Sequence, residues 1–404
     1  MQVSVSGALD GLRVLDATQM LAGPLAGARF GDLGADVIKV ESPRGGEFNR
    51  THGFADARHA GEMTTFLAVN RNKRSVAVDL KHPDGVEVFQ HLAAESDVVL
   101  QNFRRGTAER LGVGYEDLRA VNPRLVYCSI SGFGATGPYR DRPGQDLIVQ
   151  GYSGSMYSVG ASGDTPAPGA LWAADVMTGY TAVIGVLAAL QSLSSTGLGQ
   201  HVEIDMLTVV LDSQLQELVT FLNTGEAPTR SETPSAHASI PAPYGVYRTS
   251  DGWLTLAMSP LPALGDLLDD DWLRSLTSYN DGMERRDDVF RHIESAFLPR
   301  STAEWIEVAD RHGVWAGPVH DYPAVAADPH VLATATIVEQ PQSGGMTRTV
   351  RPPIRMSETP PSVRRGAPAL GEHTREVLSE FGYEQSRIDE LVACGAVSEV
   401  VSAL

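Results

Sequence analysis

Residues 13–41 read RVLDATQMLAGPLAGARFGDLGADVIKVE. The stretch begins and ends with short runs rich in β-branched and aliphatic residues, which predict strands at Arg13–Asp16 and Asp36–Glu41. A proline near the start and a glycine just past the end of the intervening segment predict a helix over Gly23–Leu33. A strand, a helix and a second strand in such close succession indicate a parallel βαβ unit, and therefore an α/β fold.

The same alternation continues through the first half of the chain. The pattern predicts further strands and helices over Ser75–Leu80, Pro83–Ala94, Asp97–Leu100, Leu125–Ser131, Val176–Leu193 and His201–Asp205, then a long helix through about Leu222. Val176–Leu193 is apolar on nearly every face, so we expect it to be a helix buried all round. Polar residues interrupt it, which favours a core helix over a membrane span.

A change of composition divides the chain. Asn223–Pro243 is polar and Pro-rich, typical of a linker, and a β-hairpin is predicted over Tyr244–Tyr247 and Trp253–Ala257. We therefore expect a large Rossmann-like α/β domain with a parallel sheet, beginning with residues 1–222, and a smaller α+β domain at 223–328. Residues 329–404 are predicted to return to the large domain.

Composition bounds the environment and the partners. With 42% hydrophobic and 20% charged residues, the chain resembles an ordinary globular protein. Two cysteines cannot form a disulfide framework, and no secretory pattern opens the chain, so we expect a cytoplasmic protein. The net charge of −18 argues against binding to nucleic acid or to an anionic membrane.

The charge is unevenly distributed. Residues 1–142 contain 17 Lys/Arg and 17 Asp/Glu, so the rest of the chain carries the whole net charge. The only lysines are Lys39, Lys73 and Lys81. If the protein binds an anionic molecule, residues 39–110 are the predicted place for its phosphates. The alternative is that these charges are ordinary solvated surface groups.

Common catalytic motifs are missing from the sequence. Gly132–Gly137 matches G-x-G-x-x-G after a predicted strand, but prolines follow at once and no helix can start in register. The sequence has no phosphate-binding G-x-x-x-x-G-K-[ST], no G-x-S-x-G and no H-E-x-x-H, so we expect no ATP-driven step and no metal. Catalysis would then depend on carboxylates, amides and backbone donors.

Asp175 stands between a Gly/Pro-rich loop and the apolar helix. A carboxylate in that position is costly to desolvate unless it is paired or is needed for chemistry. The simplest interpretation is an N-cap, in which the side chain accepts hydrogen bonds from the first N–H groups of its own helix. The pattern alone leaves both interpretations open.

Several ordered motifs resemble the class III CoA-transferases, the family of formyl-CoA transferase, carnitine CoA-transferase and the α-methylacyl-CoA racemases. The similar stretches cover nearly the whole chain: Leu9–Asp16, Ala22–Pro24, Leu33–Glu41, Asn72–Ser75, Asp79–Lys81, Asn102–Phe103, Gly197–Val202 and Ala367–Thr374. The resemblance implies that Asp175 attacks an acyl-CoA thioester and forms a mixed anhydride and then an aspartyl-CoA thioester. It also implies an interlocked homodimer, and CoA as substrate rather than as a permanently bound cofactor.

The resemblance also implies a path for CoA. Its residues would be Leu21, Ala22, Val78, Asp79, Leu80, Lys81, Asn102, Phe103, Arg104 and Arg110. Backbone N–H groups near Leu21–Gly23, at a helix start, could stabilise oxyanions. Phe103 could equally be a core residue, and Arg110 an ordinary surface residue.

One triplet separates the two main activities of this family. The racemases carry Gly-His-Asp, in which the histidine is one of two bases, whereas this chain has Gly144-Gln145-Asp146. A glutamine cannot accept the proton, so we expect a transferase that moves CoA from an acyl-CoA to a free carboxylic acid. Gln145 would contact the substrate, and Asp146 would act as a secondary acid or begin a helix. The alternatives are a 2-methylacyl-CoA racemase and a non-catalytic acyl-CoA binder.

Departures from formyl-CoA transferase bear on the acceptor. Leu21 replaces a glutamine before Ala-Gly-Pro, and Ser231–Pro243 contains no glycine run. We therefore expect a carboxylic acid somewhat larger than oxalate.

Overall fold

The structure is a computed structural model that describes residues 7–169, 171–342 and 344–399. Its strands are β1 Arg13–Ala17, β2 Asp36–Glu41, β3 Arg58–His59, β4 Glu62–Met63, β5 Lys73–Val78, β6 Val98–Gln101, β7 Val126–Ser131, β8 His201–Asp205, β9 Gly245–Arg248, β10 Trp253–Leu256, β11 Ala316–Pro318, β12 Ile337–Gln342, β13 Gly345–Val350 and β14 Val397–Ser398.

The helices, in the same order along the chain, are α1 Ala22–Asp32, α2 Thr64–Val69, α3 Pro83–Ala94, α4 Thr107–Arg110, α5 Tyr115–Val121, α6 Asp146–Ser153, α7 Ala173–Thr196, α8 Met206–Ser213, α9 Leu215–Thr224, α10 Leu261–Leu268, α11 Asp271–Ser275, α12 Asp281–Glu284, α13 Arg286–Ile293, α14 Thr302–His312, α15 Tyr322–Ala327, α16 Pro329–Ala333, α17 Thr374–Glu380 and α18 Gln385–Ala393. Short 3₁₀ turns lie at Phe48–Arg50, Phe54–Asp56 and Ser155–Tyr157.

A seven-stranded sheet forms the centre of the first compact unit, which comprises the described residues within 1–149, 172–209 and 330–404. The strand order is β14-β5-β2-β1-β6-β7-β8, and every pairing is parallel except that of β14 with β5. From β5 to β8 this is the strand order of the dinucleotide-binding Rossmann sheet. The predicted α/β class with a parallel sheet is confirmed.

Most predicted elements lie close to the observed ones. The bounds of β2, α3 and β8 agree with the prediction to the residue, whereas β5 lies two residues earlier than predicted. The prediction of one long helix after β8 is wrong, because the helix is interrupted at Gln214, between α8 and α9. As expected, no helix follows the Gly132–Gly137 motif directly, and α6 begins only at Asp146.

The second compact unit comprises residues 150–171 and 210–329. It contains the antiparallel sheet β11-β10-β9, and the predicted hairpin corresponds to β9 and β10. Its own apolar core includes Tyr247, Phe290, Phe297 and Trp305. The boundaries at residues 222/223 and 328/329 stay predictions.

The long helix α7 differs from its prediction. It packs against α1, β7 and β8, and Thr178 is completely buried. The expectation of burial all round is nevertheless wrong, because Ile184 is 68% exposed. Among the described residues α7 is the one helix long and apolar enough to cross a membrane, and 39% of its most apolar window is buried.

Candidate active site

The strand order reverses between β1 and β6. In Rossmann-like sheets the loops leaving the carboxyl ends of these two strands diverge, and ligands bind between them. The side chain of Asn102 lies at this point: its Oδ1 accepts the N–H of Gln19 at 3.0 Å, and its Nδ2 donates to the carbonyl of Gln19 at 2.8 Å. Asn102 thus ties the end of β6 to the loop that follows β1.

Asp175 lies close to this loop. It is the third residue of α7, whose N-cap is Trp172 without any side-chain cap. The N-cap interpretation of Asp175 is therefore wrong for its own helix. The backbone N–H of Ala22, the first residue of α1, instead lies near this carboxylate and lowers its pKa as a hydrogen-bond donor. The carboxylate thus lies at the positive end of a neighbouring helix, where a negative charge is stabilised.

A second carboxylate adjoins Asp175. Oδ1 of Asp146 accepts the backbone N–H of Asp175 at 3.2 Å, and Asp146 is only 2% exposed. Burial raises the pKa of Asp175 to about 6, and the negative charge of Asp146 acts in the same direction. The hydrogen bond from Ala22 lowers this pKa, but by less. Asp175 is therefore a partly dehydrated carboxylate that is still mostly ionised at neutral pH.

Two glycines bring Asp146 to this position. Gly132 follows β7, Gly144 precedes Gln145 and Asp146, and their backbones cross so closely that a Cβ on either would meet the Cα of the other within 2.3 Å. The absence of a side chain at Gly132 therefore allows two backbone segments to cross closely, rather than a pyrophosphate to bind as in a dinucleotide motif. Gln145 itself is exposed.

The predicted CoA path has two parts in the structure. At the end of β5, Val78 is buried, Leu80 is half-buried and Lys81 is exposed, and Asp79 accepts a hydrogen bond from Arg44 at 2.8 Å. Arg44, which the residues predicted for the CoA path do not include, is exposed. At the start of α1, Leu21 is half-buried and Ala22 is buried.

The second part follows β6. Phe103 is half-buried and, like Leu80, packs against the apolar core beneath the sheet, so the core-packing alternative is observed. Arg104 and Arg110 are exposed, and Nη2 of Arg110 donates to Oγ1 of Thr107 at 2.9 Å. Exposed guanidinium groups suit phosphate oxygens, but the contacts of these residues with CoA stay predictions.

Two of the three lysines have a different role from the one expected. Lys39 and Lys73 are completely buried and ion-paired, with Glu47 at 3.3 Å and Asp16 at 2.8 Å respectively. They offer no charge to a phosphate, so only Lys81 remains for that function. The available signal was the lysine inside the apolar strand pattern of Asp36–Glu41.

One group of potential metal ligands occurs among the described residues. Ligand atoms of His82, Asp84 and Cys394 lie within 4.8 Å of one another. Nδ1 of His82 already accepts the N–H of Asp84 at 3.2 Å, as the N-cap of α3. This group therefore has a local structural role, and it does not include Asp175 or Asp146.

The fold and this site together define an α/β protein with a Rossmann-like sheet and a part-buried carboxylate of raised pKa. Comparisons with known proteins identify its family. The family model for CoA-transferase family III matches residues 9–374. The chain is 36% identical to a succinate–glutarate CoA-transferase of Agrobacterium fabrum, covering 92% of this chain and 95% of that protein. It is also 36% identical to the beta subunit of a succinyl-CoA–L-malate CoA-transferase of Chloroflexus aurantiacus, covering 95% of this chain and 96% of that subunit.

Among solved structures, a CAIB/BAIF family protein from Brucella suis has a TM-score of 0.83 at 33% identity, covering 93% of this chain and 100% of that one. The chain belongs to CoA-transferase family III. It is an enzyme of that class, with acyl-CoA and carboxylate as the kinds of substrate that the family implies.

Proposed function

We propose that this protein moves CoA from an acyl-CoA donor to a free carboxylic acid through covalent intermediates on Asp175. The observation that carries the proposal is the state of this carboxylate. It is partly dehydrated, its pKa is raised to about 6 by burial and by Asp146, and the Ala22 N–H is directed at it. Dehydration makes a carboxylate a better nucleophile, while a pKa of about 6 keeps the ionised form predominant at pH 7.

The first half of the reaction loads the enzyme. A carboxylate oxygen of Asp175 attacks the thioester carbon, the C–S bond breaks, and the products are a mixed anhydride and CoA thiolate. The thiolate then attacks the Asp175 side-chain carbonyl of the anhydride. This step forms an aspartyl-CoA thioester and releases the donor as a free carboxylate.

The second half runs the same steps in reverse with the acceptor. Its carboxylate attacks the aspartyl thioester, thiolate leaves, and the thiolate then attacks the acceptor's carbonyl in the new anhydride. Acceptor acyl-CoA forms and the Asp175 carboxylate is restored. One thioester is exchanged for another, so the reaction needs no ATP.

The Ala22 N–H suits the two middle steps. When thiolate or acceptor attacks the Asp175 carbonyl, negative charge develops on the Asp175 oxygen atom, and a backbone donor already placed there stabilises it. Asp146 fixes the backbone of Asp175 through its N–H. We propose that the exposed Gln145 contacts the substrate, and that CoA follows the residues from Leu21 to Arg110 named above.

The names of the relatives support a proposal for the acceptor class. The two proteins compared above are named for succinate, glutarate and L-malate. We propose that this enzyme likewise uses dicarboxylic acids of four or five carbons, with the corresponding dicarboxyl-CoA as donor. This agrees with the expectation of an acceptor larger than oxalate.

Hydroxylamine trapping tests the function. With succinyl-CoA and hydroxylamine we expect a hydroxamate on Asp175, and glutarate or L-malate should discharge the intermediate and reduce the label. Trypsin is unsuitable for mapping, because no Lys or Arg lies between Arg142 and Arg230. Chymotryptic cleavage after Trp172 and Tyr180 isolates the peptide Ala173–Tyr180.

Free CoA in place of succinyl-CoA is the control and should give no label. Labelling of another carboxylate would contradict the role of Asp175. Labelling that oxalate discharges as well as glutarate does would contradict the acceptor class but leave the mechanism intact.

We further propose that the protein is a homodimer, interlocked as the family resemblance implies. Ile184 of α7 is 68% exposed. Exposed apolar residues also follow one face of α9, at Leu215, Val219 and Leu222. Apolar side chains exposed along one face of a helix, as on α9, are typical of interaction sites.

Light scattering should therefore give about twice the 43.2 kDa of the chain. The Ile184→Glu variant, which places a charge on the exposed side of α7, should shift the mass towards that of a single chain. A monomeric wild-type protein at micromolar concentration would contradict the proposal.

A further inference from the structure

The loop that leads from β1 into α1, residues 18–21, determines where the Ala22 N–H points. Its first residue, Thr18, is 2% exposed and packs against Gly23, where a Cβ would meet the Thr18 side chain within 2.3–2.7 Å. Thr18 and the first turn of α1 therefore form one closely packed unit. What holds this unit also holds the donor to Asp175.

Asp16 holds the start of the loop. Its Oδ1 accepts both the backbone N–H and the hydroxyl of Thr18. Its Oδ2 accepts Nζ of Lys73 at 2.8 Å. Both side chains of this ion pair are completely buried.

The two buried lysines hold the loop at both ends. Nζ of Lys73 also donates to the carbonyl of Pro24, in the first turn of α1, at 2.8 Å. Nζ of Lys39 donates to the carbonyl of Thr18 at 2.9 Å and pairs with Glu47. Two backbone carbonyls that flank the Ala22 N–H are thus fixed by buried ammonium groups.

The wider cluster contains three buried cations and three buried carboxylates, and the part-buried Glu62 also pairs with one of its cations. The buried members are Lys39, Lys73, Arg50, Asp16, Glu41 and Glu47. Buried ion pairs contribute little net stability, because the cost of desolvation offsets the attraction between the charges. They do impose a fixed geometry, since breaking one leaves an unpaired charge in the interior.

We propose that this cluster, acting through Thr18, is a positioning device that keeps the Ala22 N–H directed at Asp175 during the transfer steps. Thr18, Lys39, Lys73 and Asp16 are positioning residues, because the cluster contacts reach the loop and not the carboxylate of Asp175. The inference rests on the proposed function. It adds that the Ala22 N–H keeps its position only while the buried charges hold the loop.

The test compares Thr18→Ala with Thr18→Ser. Both variants lose the methyl group, and only Thr18→Ser keeps the hydroxyl that donates to Asp16. For Thr18→Ala we expect kcat to fall about tenfold, with KM for the acyl-CoA within about twofold. The acidic limb of its kcat/KM profile should move to higher pH, because the Ala22 bond that lowers the pKa of Asp175 is loosened.

Thr18→Ser should follow the wild-type limb and recover most of kcat. Ser96→Ala is the matched control, because Ser96 is also buried and its hydroxyl donates to Leu92 at 2.7 Å, away from the loop. Ser96→Ala should lose stability, but the acidic limb of its kcat/KM profile should stay at the wild-type pH. If Thr18→Ala fails to fold, Thr18→Val is measured in its place.

Wild-type protein without any CoA transfer would contradict the proposed function itself. If the wild-type protein transfers CoA, but Thr18→Ala and Thr18→Ser do not differ from each other in kcat or in the acidic limb of the pH profile, the positioning role alone would be overturned.

Discussion

The Asp175→Asn variant is expected to lose CoA transfer by at least about 10³-fold while gaining stability at pH 7.5. The amide cannot form the anhydride, and removal of a nucleophile typically has an effect of this size or larger. The gain has a separate cause: the ionised carboxylate is unfavourably buried beside Asp146, as the raised pKa of Asp175 shows. A pKa of about 6 in the folded state, against about 4 in the unfolded state, corresponds to about 2–3 kcal/mol.

The pH dependence gives the sign of this effect. Because the folded-state pKa of Asp175 is the higher one, the folded protein binds the proton more tightly, and ionisation destabilises it fully above about pH 6. The advantage of Asp175→Asn should therefore shrink between pH 6 and pH 4 and vanish below. Guanidinium denaturation at several pH values measures it, and wild-type kcat/KM should fall through the same upper pKa as the nucleophile is protonated.

Asp389→Asn is the control for the change in net charge. Asp389 is exposed and pairs with Arg375 at 2.7 Å on the surface, so its variant should keep wild-type activity and should not gain stability. Two results would contradict the account of Asp175: more than about a tenth of the activity remaining in Asp175→Asn, or a stability gain that persists unchanged at pH 4.

The contrast between Asp175 and the lysines shows what the sequence could predict. Local patterns placed β1, α1 and β2 nearly correctly, because strand and helix signals are read within a few residues. They also placed Asp175 at a helix start. The patterns could not show that its carboxylate serves the neighbouring helix, because the contact with Ala22 depends on how α7 and α1 pack.

The prediction for Lys39 and Lys73 was wrong for a related reason. A lysine in a sequence predicts surface charge on average, and burial depends on a partner distant in the chain. Asp16 and Lys73 are separated by 57 residues and meet only because β1 and β5 flank β2 in one sheet. The order of strands in that sheet, rather than local composition, creates the cluster beneath the Ala22 loop.

The crossing of Gly132 and Gly144 leads to the second large expected effect, in Gly144→Ala. Neither glycine needs a left-handed backbone, so the constraint is space alone. A Cβ on Gly144 would lie 2.2 Å from the Cα of Gly132, whereas carbon atoms pack at about 3.5–4.0 Å, so the two segments must separate by more than about 1 Å. Overpacking of this kind costs about 1–3 kcal/mol.

The activity of Gly144→Ala should fall more than its stability suggests. Gly144 leads directly into Gln145 and Asp146, so the displaced segment takes Asp146 away from the N–H of Asp175, and a shift of about 1 Å at a reacting group can lower kcat about 10²-fold. Gly132→Ala should reproduce both losses from the other side of the crossing. Gly163→Ala, where nothing lies within 4 Å of the added Cβ, is the matched control and should behave as wild type. Stability loss with normal kcat in both crossing variants would show that the placement of Asp146 does not depend on this contact.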